Sequence, residues 1–301
     1  MIRILNKRKR ILAQPIPRLA MKKKNQTPGG NTSRQGLLSG LKDRRSVQDL
    51  IAPLAKACQR SGCLFHAPLE PFELGNLVYR MPRFAFIGPG SGGSYYKRLG
   101  LFAGLHGDEI AGPHAIVEFL RQLEASPLLG KGWEIFAYPV CNPSGFEDNT
   151  RFSRRGVDLN RLFWKKSREA EVQILEDQIG GMQFDGIISL HADDSSDGIY
   201  GFARGAEITR DVLEPALEAA SAIIPRNNNR RIDGFDAENG IISKCYSGVL
   251  GASPSAQPRP FEIVLETPQL APLKTQVEAH VTALLTLIAE YPKFISYGQD
   301  L

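Results

Sequence analysis

From about residue 99 onward, short apolar runs of strand-like character alternate with longer segments of helical periodicity. The strand-like runs are 99–105, 133–139, 186–190, 198–203 and 261–265, and the helical segments are 109–125, 169–179, about 209–223 and about 273–289. This alternation predicts an α/β fold with a mixed, mainly parallel twisted sheet and helices on both faces, because parallel neighbours need long crossover connections. In such folds ligands bind beyond the carboxyl ends of the strands.

Four ionisable side chains lie where those apolar runs end. They are His106, Glu109, His191 and Glu266. A charged group beside a core is costly unless something binds it. Two imidazoles and a carboxylate are a ligand set for catalytic zinc, with one position open, and a second carboxylate could act as base. One such position would be explained more simply as a satisfied core residue, but four together predict a zinc hydrolase.

The charge is unevenly distributed along the chain. Residues 1–45 hold thirteen Lys or Arg and one acid, whereas 46–301 hold 24 bases and 31 acids. We predict a basic, disordered N-terminal extension over 1–45 and a single catalytic domain over 46–301, which starts with a helix after Ser46. A nucleic-acid or anionic-surface arm and a solvated extension both fit the basic segment. We favour the solvated extension and predict no nucleic-acid partner.

The remaining composition bears on location and on the early strands. No run of 18 apolar residues occurs, so no membrane partner is predicted. Four scattered cysteines do not form a disulfide framework, and with no recognisable secretion signal we expect a cytoplasmic protein. Residues 71–80 and 82–88 are predicted to be the two strands of a hairpin.

Five ordered motifs then carry a specific resemblance. They are His106-Gly-Asp-Glu109, Asn142-Pro-Ser-Gly145, Gly156-Val-Asp-Leu-Asn-Arg161, Ile188-Ser-Leu-His191 and Val264-Leu-Glu266. Together they resemble the zinc carboxypeptidase family of the carboxypeptidase A type, over roughly 99–289. The stretch 149–161 is also similar to the bacterial murein-peptide amidase branch and to the succinylglutamate desuccinylase and aspartoacylase branch.

The resemblance implies a role for each ionisable residue of the site. His106, Glu109 and His191 would bind one Zn²⁺ per chain, and Glu266 would be the base that receives a proton from water. Asp158 would accept a hydrogen bond from a metal-binding histidine and so fix its tautomer.

The resemblance also implies how substrate is held. Arg151 would stabilise the developing oxyanion, while Asn160 and Arg161 would bind the terminal carboxylate of the substrate. Arg154 and Arg155 are close enough in sequence to compete for the role of Arg151.

A third substrate contact is expected from Tyr246, which resembles the mobile tyrosine that contacts the substrate terminus in carboxypeptidases. The Gly- and Pro-rich run 248–260 after it suggests a loop over the site. His66, His114 and His280 have no motif around them and are interpreted as structural.

These observations predict a metallocarboxypeptidase or peptide amidase that hydrolyses an amide bond next to a free carboxylate in a small peptide, by a metal-activated water. The alternative on the same fold is an N-acyl amino acid deacylase. We favour the first because Leu265-Glu266-Thr-Pro268 is more similar to the peptidase and amidase branch. A binding protein on an inactive hydrolase fold is disfavoured, since no ligand or base is missing, and a nucleic-acid binder would depend on the basic arm alone.

Overall fold

The computed structural model of this chain describes residues 44–90 and 96–299. The disorder predicted for 1–45 therefore lies, apart from its last two residues, outside the described residues. The described residues from Ser46 onward form one compact unit. None of the helices in the described part has the length and apolar character needed to span a lipid bilayer.

Twelve strands and seven helices are found in the described residues. The elements in chain order are α1 (Val47–Cys58), β1 (Leu64–His66), β2 (Phe72–Leu74), β3 (Leu77–Tyr79), β4 (Phe84–Ile87), β5 (Lys97–Ala103), α2 (Ala111–Ala125), β6 (Trp133–Tyr138), α3 (Pro143–Asp148), α4 (Ala170–Met182), β7 (Gly186–Asp193), β8 (Tyr200–Ala203), α5 (Ala206–Ile208), α6 (Glu214–Ser221), β9 (Arg231–Ile232), β10 (Phe235–Glu238), β11 (Ile241–Ile242), β12 (Phe261–Pro268) and α7 (Leu273–Gln299). Short 3₁₀ turns cover Pro127–Gly130 and Leu159–Arg161, and a π-helical turn at Thr209–Leu213 joins α5 to α6.

Ten of the strands form one mixed sheet in the order β1-β4-β6-β5-β7-β12-β8-β11-β10-β9. The four central strands β6, β5, β7 and β12 are parallel to one another. Strands β4 and β8 run antiparallel to β6 and β12 on either side. The predicted fold class, a mixed α/β sheet with a parallel centre in a single domain, is confirmed.

Side chains of the central strands alternate between two apolar cores. On β5, Leu99 and Leu101 pack into the core that also contains residues of α1, α2, α6 and α7, whereas Phe102 packs into the core that contains residues of α4. On β7, Ile188 and Ile187 divide in the same way. This alternation with period two shows that both faces of the sheet are covered, as parallel strands require.

The position of β5 creates a crevice at the carboxyl ends of the central strands. The chain passes from β5 to β6 on one side, and β7 then lies on the other side of β5. Crossovers that leave in opposite directions separate the loops above the sheet, and ligands bind at this point in open α/β sheets. The ends of β5, β7 and β12 all face this crevice.

The predicted pairing of residues 71–80 with 82–88 is wrong. The first segment folds on itself as the hairpin of β2 and β3, while β4 pairs with β1 and β6. The turn of the short hairpin is Gly75-Asn76, with Gly75 at φ 62°. A Gly-Asn pair flanked by apolar residues is a two-residue hairpin signal, so the turn within the first segment was readable in the sequence.

Candidate metal centre and active site

The loop after β5 carries His106 and Glu109, and close backbone packing holds it in place. Gly107 lies directly on α3, where an added Cβ would be 1.9 Å from the carbonyl carbon of Gly145. Asn142 fixes the same contact from the other side, since its Oδ1 accepts from Gly145 N at 2.9 Å and its Nδ2 donates to Leu105 O at 3.2 Å. The His-Gly and Asn-Pro-Ser-Gly motifs are therefore one packing unit.

Three predicted metal ligands converge above the sheet. His106 Nδ1 lies 2.5 Å from Glu109 Oε1, and His191 Nδ1 lies 2.9 Å from Glu109 Oε2. One ligand atom from each of the three side chains can be chosen so that all lie within 4.8 Å of one another, and all three residues are buried. No other group of three or more His, Cys, Asp or Glu in residues 44–90 and 96–299 meets this criterion.

Electrostatics couple the three groups. Burial by itself would raise the pKa of Glu109, but the His106 and His191 imidazoles hold it well below its usual value. Burial lowers the pKa of His106, yet Glu109 and Asp158 outweigh this and raise it to about 9. Burial lowers the pKa of His191. The ionised carboxylate between two imidazoles has the donor set that a divalent cation such as zinc takes from proteins.

Asp158 lies behind His106, on the side away from Glu109. Its Oδ1 is 3.2 Å from His106 Nε2 and accepts from Asn160 N at 3.0 Å. A carboxylate at Nε2 favours the tautomer that leaves Nδ1 free to bind a metal. Asp158 therefore lies beside His106, and its role in supporting a metal ligand stays a prediction.

Arg151 extends over the same carboxylates. Its guanidinium lies 3.4 Å from Glu109 Oε1 and 3.2 Å from Asp158 Oδ2, and it lines the cavity beside the ligands. The two competing arginines point elsewhere, since Arg154 is paired with Asp148 and Arg155 lies near Glu169. Of the three, only Arg151 places positive charge beside the predicted metal ligands.

Asn160 and Arg161 are on the 3₁₀ turn after Asp158. Asn160 is buried; its Nδ2 lies 3.5 Å from His191 Nε2 and its Oδ1 accepts from Leu250 N at 2.8 Å. The amide thus connects His191 to the loop after Tyr246. Arg161 lines the cavity and forms no ion pair with any acid in the described part of the chain, so its charge is available to an anionic ligand.

Tyr246 lines the cavity as predicted, but its polar end is occupied. The Tyr246 hydroxyl donates to the backbone oxygen of Asp233 at 3.0 Å and lies 3.1 Å from the Asp233 carboxylate. Its ring lies 4.3 Å from the guanidinium carbon of Arg161. In this arrangement Tyr246 orders Arg161 through a cation–π contact, and donating a hydrogen bond to substrate would require the hydroxyl to leave Asp233.

Glu266 faces the cavity from β12, opposite His191. Among the described residues it makes no hydrogen bond or ion pair, in contrast to Glu109. Burial raises its pKa well above the usual value, and the carboxylates of Glu109, Asp193 and Asp233 raise it further. A carboxyl that lacks a fixed partner is suited to exchanging a proton with a ligand.

The cavity has a volume of about 400 Å³ and a wall that the sequence motifs did not reveal. This wall contains Tyr200, whose hydroxyl donates to Asp193 Oδ2 at 2.9 Å, and Asp233 at the tip of the β9–β10 hairpin. Asp233 and Gly234 both have positive φ, 50° and 80°. An Asp-Gly pair is a hairpin signal, so the hairpin was readable from sequence although its position at the site was not.

A family model resembles part of this chain. Residues 95–229 match the family model of the succinylglutamate desuccinylase/aspartoacylase catalytic domain. No curated protein sequence gives a significant match. The resemblance drawn from the motifs is confirmed, and the matched family supports a hydrolase.

Solved structures share the fold at low sequence identity. A candidate metallopeptidase from Shewanella denitrificans OS217 superposes with a TM-score of 0.66 and 23% identity, over 81% of this chain and 90% of that one. A metallo-carboxypeptidase from Burkholderia cenocepacia gives 0.61 and 16%, over 83% and 70%. A succinylglutamate desuccinylase/aspartoacylase from Rhodobacter sphaeroides gives 0.51 and 18%, over 75% and 63%. At these identities the likeness shows the fold.

Proposed function

We propose that this chain is a zinc-dependent metallocarboxypeptidase or peptide amidase that cleaves the amide bond next to a free carboxylate in a small peptide. The observation that carries the proposal is the buried group of His106, Glu109 and His191 at the edge of a cavity. Glu266 and Arg161 line the same cavity, and among the described residues Glu266 has no hydrogen-bond partner and Arg161 forms no ion pair with an acid.

The three ligands fit zinc by donor type and by orientation. His106 presents Nδ1 toward Glu109 while Asp158 takes its Nε2, and His191 also presents Nδ1 toward Glu109. When bound there, zinc would polarise a carbonyl oxygen and lower the pKa of a water molecule.

Glu266 is the proposed proton carrier. It lies opposite His191 in the cavity, and its carboxylate would accept a proton from the attacking water and pass it to the leaving nitrogen. Its raised pKa favours holding that proton between the two steps, and a bound divalent cation would oppose this rise.

Arg151 and Arg161 would contact different negative groups of the substrate. Arg151 is fixed by Glu109 and Asp158, so it presents a positioned charge where a carbonyl oxygen becomes negative. Arg161, which pairs with no acid in the described part of the chain and is ordered by the Tyr246 ring, would bind the free carboxylate of the substrate.

A deacylase of N-acyl amino acids is the second candidate. It is favoured by the family model, whose matched residues 95–229 contain the three ligands, Arg151 and Arg161 but end before Glu266. Both candidates use the same metal and the same base. They differ in whether the scissile carbonyl belongs to a peptide or to a small acyl group.

Domain and location complete the proposal. We assign the catalytic domain to 46–301 and leave the basic segment without a role in the reaction. All four cysteines are free thiols. This agrees with a cytoplasmic location, where thiols stay reduced.

The test is a substrate panel on zinc-loaded protein. Murein-type peptides, ordinary dipeptides and N-acyl amino acids are incubated with the wild type and with Glu266→Gln as the blank. Release of a C-terminal residue from peptides supports the first candidate, and release of an acyl group alone supports the second. Both candidate functions would be refuted if the protein purified without chelator contains no zinc and gains no activity when zinc is added.

A further inference from the structure

A hydrogen-bonded network of buried polar side chains lies beneath the metal ligands, between α7 and the ends of β7 and β12. It consists of Thr267, Gln276 and His280, which are 0%, 4% and 0% exposed. Their neighbours on the inner face of α7, such as Ala283 and Leu284, are apolar and belong to the core. Polar groups at such depth cost stability unless hydrogen bonds satisfy them, so their contacts are informative.

His280 contacts the backbone of a metal ligand. Its Nε2 lies 3.1 Å from the carbonyl oxygen of His191 and 3.2 Å from Thr267 Oγ1. A carbonyl oxygen only accepts, so Nε2 carries the proton and Nδ1 does not. In the part of the chain that the structure describes, Nδ1 has no partner. The imidazole therefore donates one shared hydrogen bond, which points at the end of β7.

The same hydrogen-bonded network reaches the segment after Glu266. Thr267 Oγ1 donates to Gln276 Oε1 at 3.1 Å, and Gln276 Nε2 donates to the backbone oxygens of Gln269 and Ala271 at 3.1 and 2.6 Å. Gln269 N in turn donates to Asp193 O at 2.9 Å. Helix α7 is thus hydrogen-bonded to the carbonyl oxygen of His191 and to the backbone that follows Glu266.

We infer that His280 is a positioning residue for the metal centre. Through its contacts with His191 O and Thr267, it fixes the position of the His191 imidazole relative to the Glu266 carboxylate. The inference rests on the proposed function for the identity of the ligand and the base. Two side chains on adjacent strands keep a constant separation only if the strand ends do not shift. The strands themselves end within two residues of both groups, at Asp193 and Pro268.

An apolar residue at position 280 would serve packing equally well. Removing one partner of a buried hydrogen bond lowers stability, because the other partner is left unsatisfied, but that loss by itself does not change the geometry of a metal site. A purely structural His280 therefore predicts that His280→Phe changes little besides the melting temperature, whereas a positioning role predicts a weaker and altered metal site.

The experiment compares four proteins as full chains: wild type, His280→Phe, His280→Gln and Leu284→Ala. Gln keeps an N–H donor at the same number of bonds from Cα as His Nε2, and Leu284→Ala is a core defect one turn along the same helix. The readouts are the dissociation constant for Zn²⁺ from chelator competition, the visible spectrum of the Co²⁺-substituted protein, and the melting temperature.

We expect His280→Phe to weaken Zn²⁺ binding about tenfold, the lower end of what removal of an outer partner of a metal ligand produces. Its Co²⁺ spectrum should change, His280→Gln should restore both within about threefold, and Leu284→Ala should lower only the melting temperature. If His280→Phe does not fold, Thr267→Val is measured in the same way and should shift both metal readouts in the same direction.

Three negative results are distinguishable. If the wild type binds zinc, and His280→Phe (or Thr267→Val in its place) leaves the metal affinity and the Co²⁺ spectrum unchanged, the positioning role alone is overturned. A wild type that binds neither Zn²⁺ nor Co²⁺ would overturn the proposed function, and the inference with it. If Leu284→Ala loses as much Zn²⁺ affinity as His280→Phe, the effect of His280 is explained by general destabilisation and the positioning role is overturned.

Discussion

His191 and Glu266 are register partners on adjacent parallel strands, β7 and β12. Partners in neighbouring parallel strands are about 4.8 Å apart at the backbone and direct their side chains to the same face. The proposed metal ligand and the proposed base are therefore separated by one strand spacing at the carboxyl end of the sheet. Ser189 and Val264, two residues earlier on each strand, line the same cavity.

Replacing the base should separate catalysis from metal binding. We expect Glu266→Gln to lower kcat by about 10²- to 10⁴-fold, the usual contribution of a positioned acid–base group, while the zinc content remains one per chain. The measurement is steady-state kinetics together with metal analysis. Glu278→Gln, an exposed change of the same type on α7, should behave as wild type, and a fully active Glu266→Gln would remove Glu266 from the mechanism.

Arg161 should act on substrate binding. Loss of a charge-assisted contact with the substrate carboxylate corresponds to about 1.5–3 kcal/mol, so Arg161→Ala should reduce kcat/KM by roughly 10- to 150-fold, mainly through KM. Arg155→Ala is the matched control because Arg155 lies near Glu169, away from the cavity. Substrates whose carboxylate is amidated should show no difference between wild type and Arg161→Ala; a persisting difference would contradict the assignment.

The two contacts of Tyr246 can be tested separately. Tyr246→Phe removes the hydrogen bond to Asp233 but keeps the ring against Arg161, whereas Tyr246→Ala removes both. If the ring orders Arg161, we expect a near-normal KM for Phe and a severalfold higher KM for Ala. A large loss of kcat in Tyr246→Phe would instead show that the hydroxyl itself takes part in the reaction.

The close approach of Gly107 to Gly145 makes the ligand loop sensitive to a single methyl group. Gly107→Ala should displace the backbone between His106 and Glu109, and so weaken Zn²⁺ binding by at least tenfold and lower the melting temperature. Gly180→Ala is the control. Gly180 lies in helix α4, and an added Cβ there would have no other atom within 4 Å. This substitution should be neutral or stabilise the protein by up to about 1 kcal/mol.

Glu171 gives a prediction of stability against pH that is independent of the active site. It is 0% exposed, and neither carboxylate oxygen has a hydrogen-bond partner in the described part of the chain. Burial raises its pKa, so between the unfolded value of about 4.3 and the raised folded value the folded protein binds more protons than the unfolded. Stability of the wild type therefore falls as pH rises through this window.

The corresponding variant is Glu171→Gln. It should be more stable than wild type by about 1 kcal/mol at pH 7.5, with a difference that vanishes below about pH 4. Chemical denaturation at several pH values measures this, with Glu278→Gln as the exposed control. A difference that does not depend on pH would show that charge is not the cause.

Local sequence patterns anticipated much of this molecule. The apolar runs marked β5, β6, β7 and β12, and the helical periodicity marked the helices that cover them, because burial on both faces leaves a strong pattern. The ionisable residues at the ends of those runs predicted where the crevice lies. Their motif order carried the resemblance that the family model and the shared fold then confirmed.

Other parts of the site had no such pattern. The wall made by Tyr200 and Asp233 depends on how β8 and the β9–β10 hairpin extend the sheet, and the choice among three nearby arginines depends on which acid each one meets. His280 was interpreted as structural because no motif surrounds it, yet it contacts the backbone of His191 from 89 residues away.

The sequence by itself determined the alternating α/β order and which ionisable residues follow the central strands, since each depends on residues close together in the chain. Only the tertiary structure decided that His191 faces Glu266, that Arg151 and not its neighbours lies over the ligands, and that Tyr246 is held by Asp233. Those relationships join distant segments, and their geometry is set by strand register and packing, which no local pattern encodes.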